Sequence, residues 1–188
     1  MKKNILLLLL LAASIVGAKA QIYMAKNGEI SFHSDSPLED IDGKSKTIMS
    51  LFNTSSRDMM FTAKIKSFDF KDQLMKEHFN ENYLESDKFP DATYKGKVNE
   101  TIDFTKDGAY PVTTTGKMNI HGVERDITEK GTLTISGGGK NILIHCEMMV
   151  RLADYKIEIP KLVVTNIAEV IAVKVDIPFV PYVKEEKK

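Results

Sequence analysis

Apolar and polar residues alternate with a period of two along most of the chain, the mark of strands with one buried face. The clearest run is Asn141 to Leu152. Ile142, Ile144, Cys146, Met148, Val150 and Leu152 share one face, and His145, Glu147 and Arg151 the other. The last run is similar, with Ile167, Ile171, Val173, Val175, Ile177 and Phe179 set against Asn166, Lys174 and Asp176. Shorter runs are Ile30-Phe32, Ile48-Ser50-Phe52, Met59-Phe61-Ala63-Ile65, Ala92-Tyr94-Gly96-Val98, Val112-Thr114-Gly116-Met118-Ile120 and Gly131-Leu133-Ile135. Asn27-Gly28, Asp107-Gly108, His121-Gly122 and Ser136-Gly137-Gly138-Gly139 supply turn signals between them, as hairpins require. About eight antiparallel strands crowd an open sheet. Closing the sheet removes its edges and leaves an interior for side chains or one small ligand. A two-sheet sandwich would alternate in the same way. The pattern therefore predicts an all-β domain, with a barrel preferred over a sandwich.

One segment breaks the alternation. Phe70, Leu74 and His78 are spaced four apart with Met75 and Phe79 beside them, which predicts a short helix over residues 70–83. Ser67 or Asp69 is placed to cap it, and Phe89-Pro90 blocks its continuation. Such an insert between strands can cover a barrel mouth. Judged by spacing alone, plugging the core is the simpler role.

The start of the chain follows a different rule. Lys2 and Lys3 precede an unbroken apolar run from Ile5 to Ala13, and Ala18-Lys19-Ala20 places small residues at alternate positions. This is the three-part plan of a secretory signal peptide, predicting a cut after Ala20. Residues 21–188 would then form one periplasmic or secreted domain. Lys19 interrupts the apolar stretch short of the ~20 residues a membrane span needs. The whole chain of 188 residues carries 26 basic and 26 acidic side chains. Loss of Lys2, Lys3 and Lys19 removes three of the 26 basic residues and leaves the mature chain near −3. That balance gives no support to a polyphosphate or nucleic-acid binder, which needs excess Lys and Arg.

Catalytic and metal-binding patterns are sparse. The four histidines, His33, His78, His121 and His145, form no HxH or HExxH spacing. A single Cys, Cys146, excludes an intrachain disulfide or a CxxC site, and its place among Ile144 and Met148 marks it as a small core residue. No G-x-S-x-G elbow occurs. The Gly137–Gly139 run lies between strands instead of before a helix, so it is not a phosphate loop. Glu77 and Glu81 fit a solvated helix face. His78, with apolar helix neighbours, must bond locally or meet the polar end of a ligand. Nine Met and nine Phe without Trp make an adaptable interior, suited to ordinary packing or to a flexible hydrocarbon. No cofactor and no metal is called for.

Three stretches carry a family resemblance: Leu74-Met75-Lys76-Glu77-His78-Phe79-Asn80-Glu81-Asn82-Tyr83, continuing through Phe89-Pro90 to Ala92-Thr93-Tyr94-Lys95-Gly96; Thr115-Gly116-Lys117-Met118-Asn119-Ile120-His121-Gly122-Val123; and Tyr155-Lys156-Ile157-Glu158-Ile159-Pro160 leading into the last strand. Together they resemble the YceI-like family of periplasmic lipid-binding proteins across nearly the whole mature chain. The resemblance implies an extended, lipocalin-like eight-stranded antiparallel β-barrel with an elongated apolar cavity. It implies a carrier or store of isoprenoid or other lipidic chains, not a catalyst. It also implies that Met75, His78, Phe79 and Tyr83 border the cavity mouth, with Phe89, Met118, Ile120 and Met148 further in. Many relatives place an Arg-Asp pair before the His, whereas Lys76-Glu77 stands here, so a head-group contact through that Arg does not carry over.

The leading expectation is thus a periplasmic or secreted protein that sequesters an isoprenoid, quinone or fatty-acyl chain, without stable membrane insertion. Two alternatives stand beside it. One is an enzyme acting on a lipidic substrate through His78 or His121 and a nearby acid. The other is a solid-core interaction protein whose loops dock a partner. The oligomeric state is left open, a homodimer included.

Overall fold

The computed structural model describes residues 21–35, 40–159 and 168–183. Residues 1–20, on which the signal-peptide expectation falls, Ile167 and Asn166 of the last predicted run, Pro160 of the third motif and the charged tail from Lys184 lie outside them. The alternating runs become eight strands: β1 (Ile22–Ser34), β2 (Ile41–Asn53), β3 (Asp58–Lys64), β4 (Asp91–Val98), β5 (Gly108–Ile120), β6 (Val123–Ser136), β7 (Asn141–Arg151) and β8 (Val170–Pro181). Each pairs antiparallel with its neighbour, and β8 pairs back onto β1, so the sheet closes into a barrel in simple sequence order. Closure decides between barrel and sandwich, since it pairs the two strands that a sandwich would leave as edges. The inward faces are those of the alternation. On β7, Ile142, Ile144 and Cys146 are buried while Leu143 and Glu147 are exposed. On β8, Ile171, Val175, Ile177 and Phe179 point in.

Two of the turn signals act differently from the expectation. Asn27-Gly28 is no hairpin but lies inside β1, where the pairing with β2 slips on both sides of Gly28. A Cβ at residue 28 would stand 3.1 Å from both Ile48 and Ile177, so glycine lets the bulged backbone press against the core. Asp107-Gly108 closes a long connection between β4 and β5 instead of a tight turn. Asp107 there accepts hydrogen bonds from the Gly137 and Gly138 amides at 3.1 and 2.8 Å, bracing the glycine-rich β6–β7 turn. His121-Gly122 is the two-residue hairpin its sequence promised, with φ of 53° and 72° at the two positions.

The helical insert joins β3 to β4 and is shorter than expected. Its α-helix, α1, spans Gln73–His78, followed by a widened π turn over Phe79–Tyr83. Neither Ser67 nor Asp69 caps it. Asp72 does, its carboxylate accepting from the Met75 amide at 2.9 Å. The inward stripe also differs by one residue. Leu74 is 59% exposed, whereas Met75, Phe79 and Tyr83 face the barrel. Phe70 precedes the helix, so it shares no helical face with Leu74 and His78.

The up-and-down order sorts the connections by end. The β1–β2, β3–β4, β5–β6 and β7–β8 links meet at one end, which the insert covers. The β2–β3, β4–β5 and β6–β7 links and both strand termini meet at the other. There the interior is solid: Tyr23, Ile48, Phe52, Leu133, Ile135, Ile142, Ile177 and Phe179 are at most 2% exposed. Phe52 packs edge-on to Phe104 from the β4–β5 loop and tilted against Phe179, at 5.5 and 5.9 Å between ring centres. The buried Tyr23 hydroxyl donates to the Gly139 carbonyl and ties the β6–β7 turn down over this floor.

Candidate functional site: an apolar cavity under the helical insert

Above the floor the barrel is hollow. A cavity of about 250 Å³ runs between the strands beneath the insert. The same strands supply both halves. Leu133 and Ile135 of β6 are floor while Ile127 and Gly131 are wall, and on β8 Ile177 and Phe179 are floor while Ile171, Val173 and Val175 are wall. Its wall is almost wholly hydrocarbon, aromatic ring and thioether, so it suits a chain with few polar groups.

The roof is an aromatic cluster. Phe79, from the π turn, stacks on Phe32 of β1 at 5.4 Å and tilts against Phe70 and Phe68 at 4.9 and 5.6 Å. A second packed group, Ile65, Leu84, Tyr155 and Ile157, joins the insert to the segment after β7, where a short 3-10 turn spans Leu152–Tyr155. Burial raises the phenol pKa of Tyr83 and of Tyr155.

Of the eight residues expected at the ligand, Met75, Phe79, Tyr83, Met118, Ile120 and Met148 lie on the cavity wall. His78 and Phe89 do not. His78 is the last residue of α1, one position before Phe79, and a helical step turns it off the inward stripe. Phe89 packs edge-on against the His121 ring at 4.6 Å, filling the angle of the β5–β6 turn. His121, the other candidate for catalysis, is also off the wall. One of its ring nitrogens faces the Tyr155 carbonyl at 3.2 Å and the other a Glu85 carboxylate oxygen at 2.8 Å. With both nitrogens engaged, it works as a clasp between turn, insert and 3-10 segment. His33 and His145 pair with Asp42 and Asp176 at 2.8 and 2.7 Å. The Asp42 bond raises the pKa of His33, and reciprocally Asp42 is lowered.

Cys146 is on the wall, buried, and donates to the Lys130 carbonyl at 3.3 Å. Burial first, and the charge of Glu129 second, push its pKa up to about 11. Among the described residues no cluster of three His, Cys, Asp or Glu side chains is placed to hold a metal.

Sequence reasoning overlooked the one charged side chain on the wall among the described residues. Glu129 sits on β6 between the inward Ile127 and Gly131, and burial raises its pKa. Extending the Gly131-Leu133-Ile135 alternation one step backward finds it, as a charged residue in phase with a core face. The aromatic roof was also missed in part, because Phe32 of β1 meets Phe68, Phe70 and Phe79 only when the β3–β4 connection folds over the barrel end.

A closed up-and-down barrel with a solid floor and an apolar chamber under a helical cover defines a class of small β-calyx. The family model of the YceI-like domain matches residues 19–179, and the chain belongs to that family. Solved structures with the same fold include a polyisoprenoid-binding domain from Saccharophagus degradans implicated in plant cell wall breakdown. It is 12% identical with a TM-score of 0.73, covering 87% of this chain and 100% of that one. BcnA of Burkholderia cenocepacia is 17% identical with a TM-score of 0.66, covering 80% and 95%. The YceI protein of Campylobacter jejuni is 19% identical with a TM-score of 0.60, covering 92% and 95%. None of the curated proteins matches this chain.

Proposed function

We propose that this protein is an exported, non-catalytic carrier that holds one long apolar chain, isoprenoid, quinone or fatty-acyl, inside its barrel. The observation that carries the reading is the apolar chamber itself, set between a solid floor and an aromatic roof. The polyisoprenoid-binding domain with the same fold supports it, and so does the signal-peptide plan of residues 1–20. An empty cavity of ~150 Å³ takes up benzene. By that scale about 250 Å³ accommodates roughly ten carbons, with any remainder of the chain passing out under the insert. At ~0.8 kcal/mol per buried CH2 the gross gain is ~8 kcal/mol before ordering costs, enough for micromolar-class binding. Met75, Phe79, Tyr83, Met118, Ile120 and Met148 are the side chains that would touch it.

Native mass spectrometry of protein purified from its own host tests this directly. The expected spectrum shows a mature chain starting at Gln21 with a lipidic adduct lost on solvent extraction. Met148→Trp, which fills the chamber, should abolish the adduct while leaving the strand signal in circular dichroism unchanged. An unliganded wild-type chain that also takes up no added apolar probe would sink the reading.

A further inference from the structure

The chamber wall has one carboxyl group among the described residues, and no Lys, Arg or His. Glu129 is held there by strand register. It stands directly across from Thr114 of β5, whose hydroxyl is hydrogen-bonded to the buried Tyr94 hydroxyl. Thr114 also lies on the wall. The three side chains make a polar spot in a hydrocarbon surface. Tyr94 and Thr114 satisfy each other, but among the described residues Glu129 has no hydrogen-bond or ion-pair partner, and burial alone accounts for its raised pKa. A carboxyl group placed against apolar surface without a partner loses solvation that nothing in the protein returns.

We propose that Glu129 is the acceptor for a hydroxyl group of the cargo, so that the ligand is an amphipathic alcohol or phenol whose O–H sits inside the barrel beside Thr114. This rests on the carrier reading and narrows it. A free fatty acid or a phosphorylated chain would bring a second negative charge to a site with no cation, and like charges in a low dielectric repel strongly. A primary ammonium would bring three donors to a spot whose other two hydroxyls already bond each other. A hydroxyl brings one donor to one unpartnered acceptor, and a bond to a charged group is among the stronger ones.

The test measures displacement of naphthalene, a neutral ten-carbon fluorophore with no donor, by three molecules with the same decyl or nonyl hydrocarbon tail: 1-decanol, its methyl ether and decanoate. Wild-type protein should prefer the alcohol to the ether by about tenfold or more, the size of one bond to a carboxylate, and should bind decanoate most weakly. In Glu129→Leu the alcohol-to-ether ratio should collapse toward one while probe binding persists or tightens. Persistent probe binding also shows that this variant is folded. Glu129→Gln, which keeps an acceptor without the charge, should retain a reduced preference of a few-fold. A wild-type ratio near one, or a ratio unchanged in Glu129→Leu, overturns the role of Glu129 and leaves the carrier reading standing. Failure of the probe and all three chains to bind overturns both.

Discussion

Cys146 shows how a chemically reactive side chain is silenced by its position. The thiolate is the reactive form, and burial beside a carboxylate pushes the thiol pKa up to about 11. At pH 8 that leaves about one thiolate per thousand, because each pH unit below the pKa costs a factor of ten. Native protein should therefore resist Ellman's reagent at pH 8 and react at once in denaturant. The same shift links stability to pH. The folded pKa lies above the unfolded value of ~8.5, so the contribution is intact below about pH 8.5 and is lost as the pH rises toward 11. The loss is on the order of 2–3 kcal/mol. Urea midpoints measured across that window should fall for the wild type and stay flatter for Cys146→Ala. The position was legible from alternation alone, since Cys146 keeps step with Ile144 and Met148. The reason for its inertness was legible only in part, because the neighbouring charge of Glu129 arrives from another strand.

At the scale of elements, the β5–β6 turn and the insert are the parts where local chemistry had to agree with tertiary packing. Gly122 adopts a φ of 72° and lies under the Phe89 ring, so that an added Cβ would come within 2.5 Å of it. Gly122→Ala should combine left-handed backbone strain with displacement of Phe89, a loss of about 1–3 kcal/mol in urea unfolding. The displaced Phe89 should also disturb the clasp between His121 and Glu85. The strands and this hairpin were readable because period-two patterning and an x-Gly turn are local signals. The insert was misread by one residue for a physical reason. Phe70 lies before the helix, whose extended N-cap is Asp72, so the stripe starts at Met75 and runs through Phe79 to Tyr83. Spacing of four was visible in the sequence, but its phase depended on the cap. Six of the eight residues singled out from the sequence line the cavity, while His78 and Phe89 lie off it because of that phase shift and of the turn.

For the whole molecule, one continuous set of strands builds two interiors of different character. Floor residues are close-packed, and removing atoms there leaves a new void. Wall residues already border empty space, so truncation only enlarges it. Leu133→Ala on the floor should cost about 2–5 kcal/mol. Val173→Ala on the wall should cost nearer 1 kcal/mol, chiefly the lost burial of two methyl groups. Urea unfolding of ligand-free protein checks the contrast, and equal losses would mean that the chamber collapses when empty. On β8 alternation does not reveal this division, because the floor positions Ile177 and Phe179 and the wall positions Ile171, Val173 and Val175 are equally apolar and in phase; on β6 the sign of it is Glu129, in phase with Leu133 and Ile135.

The solid floor has a consequence for traffic. Among the described residues the packed floor shuts one end of the chamber, which leaves the end beneath the aromatic roof as the way in. On the proposed carrier reading, a bound chain could not be pushed through from a donor on one side to an acceptor on the other. The part that enters last would leave first, so donor and acceptor would each approach the same face of the protein, in turn.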